Sequence, residues 1–322
     1  MGVSACLLGR EVRYDGQHKR DAFLVELLGP FVEWVPVCPE MEMGLGVPRE
    51  PIRLVGRSGA PRLVGGRSGR DHTEAMRAYA EERVAALAEE DLSGYVTKKD
   101  SPSCGLEQVR VHGARGGPPR PAGVGAFARV LLEAMPLLPV VEEARLRDPS
   151  LRESFVERVF AFARWKAAVS GGMTRGRLAA FHAAHELALL AHSPAACRRL
   201  GALARGPGEG PRRDARISTL VQACQAADAY AARFMAALKV PATRVGHTRA
   251  LRHAAGILRR ALASPERREL EKLVSDHGRG LVPLVVPLTL LRHHVRKHGV
   301  EHLAGQVYLD PDPRELTLRR RA

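Results

Sequence analysis

At about residue 150 the hydrophobic pattern of this 322-residue chain changes period, and that change bounds the folds open to it. Before it, short apolar runs alternate with helical patterns, as in an α/β domain. Residues 3–6, 31–38 and 95–97 read as strands, and 71–87 and 125–135 as helices. After it, apolar residues recur at helical spacing over 151–169, 175–190, 217–237, 244–262 and 265–277, so the second half is expected to be all-α. The expected fold is an α/β domain over 1–145, a small open sheet with flanking helices, followed by an all-helical domain over 146–322. A chain of this length can bury two cores. Residues 53–70, rich in Gly, Arg and Pro, read as a hairpin or mobile loop, and 113–123 as another loop. Residues 201–213, with four glycines and two prolines among arginines, read as a flexible connection between two helices.

The charge follows the same division. The first 150 residues hold 20 basic and 21 acidic side chains, whereas the rest of the chain holds 30 and 14, so the net charge of +15 belongs to the second half. Such an excess favours a polyanion such as RNA, because Lys and Arg release counterions from phosphates; an arginine-rich composition alone gives the same excess. The longest apolar stretch, 281–291, holds two prolines and is too short to span a bilayer. The first residues show no basic region leading into a long apolar core, so a cytoplasmic location and no membrane partner are expected. Five cysteines in such a chain argue against a disulfide framework and leave metal binding, catalysis or burial.

Three of these cysteines, Cys6, Cys38 and Cys104, sit at or just past the ends of the expected strands. The carboxyl ends of strands border the crevice of an open α/β sheet, so thiols far apart in sequence can converge there. A free cysteine is more often simply a small buried residue, but these have polar company. Glu40 and Glu42 follow Cys38, Ser101 and Ser103 precede Cys104, and Arg13, Tyr14, Asp15 and Lys19 follow Cys6.

The segments Ser4-Ala-Cys-Leu-Leu-Gly-Arg10, Val12-Arg-Tyr-Asp-Gly16, Cys38-Pro-Glu-Met-Glu-Met-Gly-Leu-Gly-Val-Pro-Arg49 and Ser101-Pro-Ser-Cys-Gly105 resemble the 2-thiouracil desulfidase family, over roughly residues 1–145. The resemblance implies a [4Fe-4S] cluster on Cys6, Cys38 and Cys104, a functional glutamate at Glu40 and a functional serine at Ser101, with Ser103 as its competitor. Clusters of this type ordinarily take four thiolates, so three leave one iron without a protein ligand. A sulfur-seeking iron of that kind suits removal of sulfur from a thiolated nucleobase or nucleoside without net redox change. Glu40 is expected as general base, Ser101 or Ser103 in orientation and proton relay, and Arg13, Tyr14 and Asp15, with Lys19, at the substrate.

From about residue 145 the chain resembles a second family, a domain of unknown function numbered 1722. The likeness rests on Phe155-Val-Glu-Arg-Val-Phe-Ala-Phe-Ala-Arg-Trp165, Phe181-His-Ala-Ala-His185, Pro283-Leu-Val-Val-Pro-Leu-Thr-Leu-Leu291 and Gln306-Val-Tyr-Leu309. Glu186 stands where that family usually has lysine, and Thr248-Arg-Ala-Leu-Arg-His253 departs from its Asn-x-Leu-x-His segment. His182 and His185 share a helix face and suit a metal given a third ligand. His294, His298 and His302 fall at four-residue spacing among Arg292, Arg296 and Lys297 and read as a basic exposed surface. Cys197 and Cys224 read as buried helix residues. The competing reading of the whole is an RNA-binding or regulatory protein whose three N-terminal thiols sense redox state or hold structural zinc, with His18 or Glu40 as fourth ligand.

Overall fold

The computed structural model describes residues 1–113, 118–205 and 218–320, without the side chains of 218–224, 316, 317, 319 and 320. The chain divides into two compact units, Met1–Phe155 and Val156–Arg320. The first is α/β and the second is built of helices, the fold class that the change of period leads one to expect.

The first unit carries strands β1 (Gly2–Ser4), β2 (Val35–Val37), β3 (Ile52–Arg57), β4 (Ala60–Gly65), β5 (Tyr95–Thr97), β6 (Val109–His112), β7 (Arg120–Gly123) and β8 (Val140–Glu142). Its helices are α1 (Pro39–Glu42), α2 (Thr73–Glu89) and α3 (Ala126–Ala134). Strands β2, β1, β5 and β8, in that order, form a wholly parallel sheet, with Gly2 opposite both Val35 and Tyr95 and Tyr95 opposite Val140. A parallel sheet is covered on both faces, and Val3, Val37, Tyr95, Val96 and Thr97 are all fully buried. Helix α2 buries Met76, Ala80, Val84 and Leu87, one apolar stripe at steps of four, four and three, while α3 buries Phe127, Ala128 and Leu131.

The other sheet, in the order β4, β3, β6, β7, was not expected. Its β3–β4 pair is the hairpin reading of 53–70, antiparallel from Ile52 opposite Gly65 to Arg57 opposite Ala60. Residues 120–123 are not loop: β7 pairs antiparallel with β6 at the sheet edge. Arg-Pro-Ala-Gly has little strand propensity, and the ladder to β6 supplies what propensity does not; an edge also tolerates Pro121, which lacks an N–H. Residues 114–117 of that stretch lie outside the described residues.

The second unit runs α4 (Pro149–Val169, which begins in the first), α5 (Arg175–His192), α6 (Pro194–Arg205), α7 (Ser218–Leu238), α8 (Arg244–Leu258), α9 (Ser264–Arg279), α10 (Val285–His298), α11 (Glu301–Ala304) and α12 (Pro313–Arg320). Thr174 and Thr243 cap α5 and α8 by accepting the Arg177 and Gly246 N–H groups at 3.2 and 3.1 Å. Trp165, Phe181, Tyr230 and Phe234 pack ring on ring, with Trp165 stacked on Tyr230 at 5.7 Å and Phe181 edge-on to Phe234 at 5.2 Å. A separate core gathers Leu251, Leu258, Leu270, Val274, Leu291 and Val295.

Residues 201–205 continue α6 rather than starting a connection, and 206–217 lie outside the described residues. Helix α10 forms over an apolar stretch whose Pro287 stands in its first turn, where the backbone N–H has no intrahelical partner to lose. Gly299, at φ 62°, ends α10, so His302 stands on α11 and not on one face with His294 and His298; nor is His294 exposed, since it is buried.

Candidate functional site

The parallel sheet explains why three distant thiols meet. Strand β1 lies between β2 and β5, so the loops leaving their carboxyl ends open onto one edge. The three thiols share a cavity of about 350 Å³ at that edge with Ser4, Arg13, Tyr14, Lys19, Glu40, Arg49 and Ser101.

Each cysteine is held by its own local device. Strand β1 ends at Ser4, and Cys6 rides on a 3-10 turn over Ala5–Leu8 closed by Gly9 at φ 92°, a conformation glycine adopts without strain. Cys38 precedes α1; Glu42 reaches back to accept its N–H at 2.8 Å and is itself held by Tyr79 Oη at 2.7 Å and Arg83 Nε at 3.1 Å from α2. Cys104 sits on a turn whose Ser101 Oγ accepts the Ser103 and Cys104 N–H groups at 3.2 and 3.1 Å. The start of α3 packs onto that turn so closely that a Cβ on Gly125 would lie 2.5 Å from the carbonyl of Ser103 and 2.8 Å from the Cys104 nitrogen. Glu142 and Glu143, at and just past the end of β8, secure the chain on either side of Cys104: Glu142 accepts the Leu106 N–H at 2.9 Å after it, and Glu143 accepts the Lys99 N–H at 2.7 Å and pairs with the Lys98 ammonium before it.

Burial dominates the electrostatics of the thiols. It pushes Cys6 up to about 11, helped by the neighbouring Cys38 and opposed by Lys98 and Arg13. Cys38 is raised for the same reason, although the Met41 and Glu40 N–H groups pull it down, and Cys104 is raised most strongly. Cys6 and Cys104 are buried and Cys38 partly so; ionised neighbouring thiols raise Cys6 and Cys104 further, and such a donor set is stabilised by a cationic group and binds none without losing protons.

Glu40 lies in a tighter embrace than its sequence position suggests. Arg49 donates to its Oε2 from Nε at 3.0 Å and from Nη2 at 2.7 Å, and Ser103 Oγ donates to Oε1 at 2.9 Å. Arg49 also donates to the carbonyls of Gly46 and Val12 at 2.7 and 3.0 Å. Its side chain is 6% exposed and that of Glu40 15%, so the pair is largely shielded from water. Ser101 lines the cavity, whereas Ser103 is fully buried behind Glu40. Arg13 and Tyr14 line the cavity; Asp15 is not among the lining residues and pairs with Arg13 Nε at 3.4 Å. Desolvation pushes the Asp15 carboxyl up, but the Gln17 N–H and the hydrogen bond and charge of Arg13 together outweigh it and hold Asp15 below the usual carboxylate range. His18 is exposed and lies outside the lining, where its Nδ1 accepts the Arg20 N–H at 3.2 Å.

Arg49, Lys98, Glu142 and Glu143 were not singled out from sequence. Arg49 closes the motif that begins at Cys38, so its position was visible and its role was not. In the second unit His182 Nδ1 meets Tyr230 Oη at 3.1 Å, and His185 lies between the Phe181 carbonyl at 2.8 Å and Arg164 Nε at 3.3 Å. Burial pushes His185 down to about 3, and both rings are committed to the core rather than to a shared metal. Cys197 is buried on α6, and the Cys224 side chain lies outside the described residues.

A family model described as 2-thiouracil desulfurase matches residues 1–143, and one described as a protein of unknown function, DUF1722, matches 187–313. The uncharacterized protein YbgA of Escherichia coli (strain K12) is 30% identical over 167 residues, 52% of this chain and 93% of that protein. The uncharacterized protein YbbK of Bacillus subtilis (strain 168) is 36% identical over 108 residues, 32% of this chain and 71% of that protein. Among solved structures, a [4Fe-4S]-dependent thiouracil desulfidase, TudS, is 32% identical, with the likeness covering 46% of this chain and 92% of that one at a TM-score of 0.39.

Proposed function

The chain belongs to the 2-thiouracil desulfurase family through its first 143 residues, joined to a DUF1722 domain, and from that premise we propose that it is an iron-sulfur-dependent desulfidase of a thiolated nucleobase or nucleoside such as 2-thiouracil. The observation that carries the reading is the meeting of Cys6, Cys38, Cys104 and Glu40 on one cavity at the carboxyl ends of three adjacent parallel strands.

The donor set fits a [4Fe-4S] cluster held by these three thiolates. Among the described residues, the group of metal-donor atoms lying within 4.8 Å of one another is elsewhere, at Glu266, and does not include the three thiols. When bound, such a cluster supplies a sulfur-seeking Lewis-acidic iron without a protein ligand. Arg13 and Lys98 lower the cost of ionising Cys6.

The net reaction exchanges a C=S bond for a C=O bond: water supplies the oxygen, its two protons leave with sulfur as hydrogen sulfide, and no electron is exchanged. Glu40 accepts a proton from that water at Oε1, which keeps a lone pair beyond the one used by Ser103, whereas both acceptor sites of Oε2 are taken by Arg49. Arg49 fixes the carboxylate's orientation through its two hydrogen bonds to Oε2. Ser101, whose oxygen accepts two backbone N–H groups, retains a hydroxyl proton to donate to the heterocycle, and Ser103 relays to Glu40. Arg13 and Tyr14 close over the ring, their cation and aromatic face 5.5 Å apart. The basic second half supports a wider substrate class in which the thiolated base is carried in RNA.

Anaerobic assay of sulfide release from 2-thiouracil tests this. Glu40→Gln is expected to retain wild-type iron and lose roughly 10²–10⁴-fold in kcat, the range for general-base catalysis. Undiminished turnover in that variant removes Glu40 from the chemistry.

A further inference from the structure

In the second unit Glu266, near the start of α9, meets His294 and His298, one turn apart on α10. One donor atom from each side chain lies within 4.8 Å of the other two. His294 Nδ1 is 3.9 Å from Glu266 Oε1, and His298 Nε2 is 3.4 Å from Glu266 Oε2. Two N or O ligands of a tetrahedral zinc, at bond lengths of about 2.0–2.1 Å, are about 3.3–3.4 Å apart. The two His–Glu separations therefore need to contract by about half an ångström or less, and the two imidazoles present nitrogens within 4.8 Å of each other. Histidines four apart on a helix present both rings to one face, here toward the carboxylate of the neighbouring helix.

A second observation is independent of this spacing. His294 is 3% exposed, and among the described residues neither of its ring nitrogens has a hydrogen-bond partner; nor does Nε2 of His298. Buried polar groups nearly always find partners. His182 and His185 show the ordinary outcome in the same unit, each tied by hydrogen bonds to its surroundings. Beside a carboxylate, the unsatisfied nitrogens of His294 and His298 form the donor set of a metal ion.

The competing cation is Lys297, whose Nζ donates to Glu266 Oε1 at 2.6 Å, while the Ala263 N–H donates to Oε2 at 2.9 Å. Half of the Lys297 side chain is in solvent, so it can withdraw or remain as a donor to the carboxylate oxygen that the metal leaves free. We propose that Glu266, His294 and His298 bind a divalent transition-metal ion of the zinc type, with water completing the shell, and that this ion staples α9 to α10.

The N-terminal thiols also have affinity for zinc, so the test must separate sulfur from nitrogen and oxygen ligands. Cobalt(II) titrated into the full-length protein under anaerobic conditions does so, because thiolate ligation adds a sulfur-to-cobalt charge-transfer band that a His/His/Glu site lacks. One equivalent of cobalt with visible ligand-field bands and no accompanying charge transfer is expected, lost in both His294→Gln and His298→Gln. The partly exposed His298 guards against a mere folding defect: its variant should match the wild-type melting temperature without metal and lose the rise that zinc gives the wild type. Cobalt bands that survive both substitutions, or that all carry thiolate charge transfer, overturn the proposal.

Discussion

A thiol buried beside other thiols binds its proton tightly, and this gives the metal-free protein a readable pH dependence. Cys6 is raised from 9.0 to about 11 in the folded chain, first by burial and then by Cys38. Folding therefore strengthens proton binding, so the stability contributed by this group is complete below pH 9 and is lost as the pH rises toward 11. The melting temperature of metal-free protein should fall over that window, and Cys6→Ser should flatten the slope. An unchanged slope would mean that Cys6 is not buried as described. The residue types of the site were legible in sequence, because cysteines at strand ends with acidic and hydroxyl neighbours are unusual company for a core thiol. The pairing was not legible. Glu40 is clamped by Arg49, nine positions away, and by Ser103, 63 positions away, and such a contact has no local signature.

Among the elements, strands that feed the cavity were read from their apolar runs, and β5 was placed residue for residue at 95–97. Strand β7 has no signal of its own, because its order comes from the ladder to β6 and not from its composition, while the alternating Val-Arg-Val-His of β6 is too short to stand out without its neighbour β3. The same dependence on neighbours governs the Cys104 turn. Its shape relies on the start of α3 lying flush against it, with the Gly125 N–H donating to the Gly105 carbonyl at 2.8 Å and the Ala126 N–H to the Pro102 carbonyl at 2.9 Å. Gly125→Ala places a methyl group where the Ser103 carbonyl stands, and overpacking of this kind costs about 1–3 kcal/mol. The expected result is a lower melting temperature together with reduced iron per chain, since Cys104 moves with its turn. Full iron loading at wild-type stability would show that the turn yields without displacing the thiol. In the second unit the helical period was plain, but the burial of His294 was not: its basic neighbours suggested a solvated face, while the packing of α10 turns that ring inward.

At the scale of the whole molecule, the first half is close to neutral and the second carries the net positive charge. If the thiolated base is delivered within RNA, affinity for tRNA should fall steeply and linearly on a log–log plot against salt, with a slope near −0.7 to −0.9 for each phosphate neutralised. Weak binding indifferent to salt would restrict the substrate to free bases and nucleosides. That question is secondary to the metal centre on which the desulfidase reading rests. The most direct measurement is iron and acid-labile sulfide content with visible absorption, made on anaerobically purified and reconstituted protein beside Cys104→Ala. The account predicts a brown protein with roughly four irons and four sulfides per chain, both lost in the variant. A colourless wild type carrying zinc or no metal at the three cysteines would contradict it.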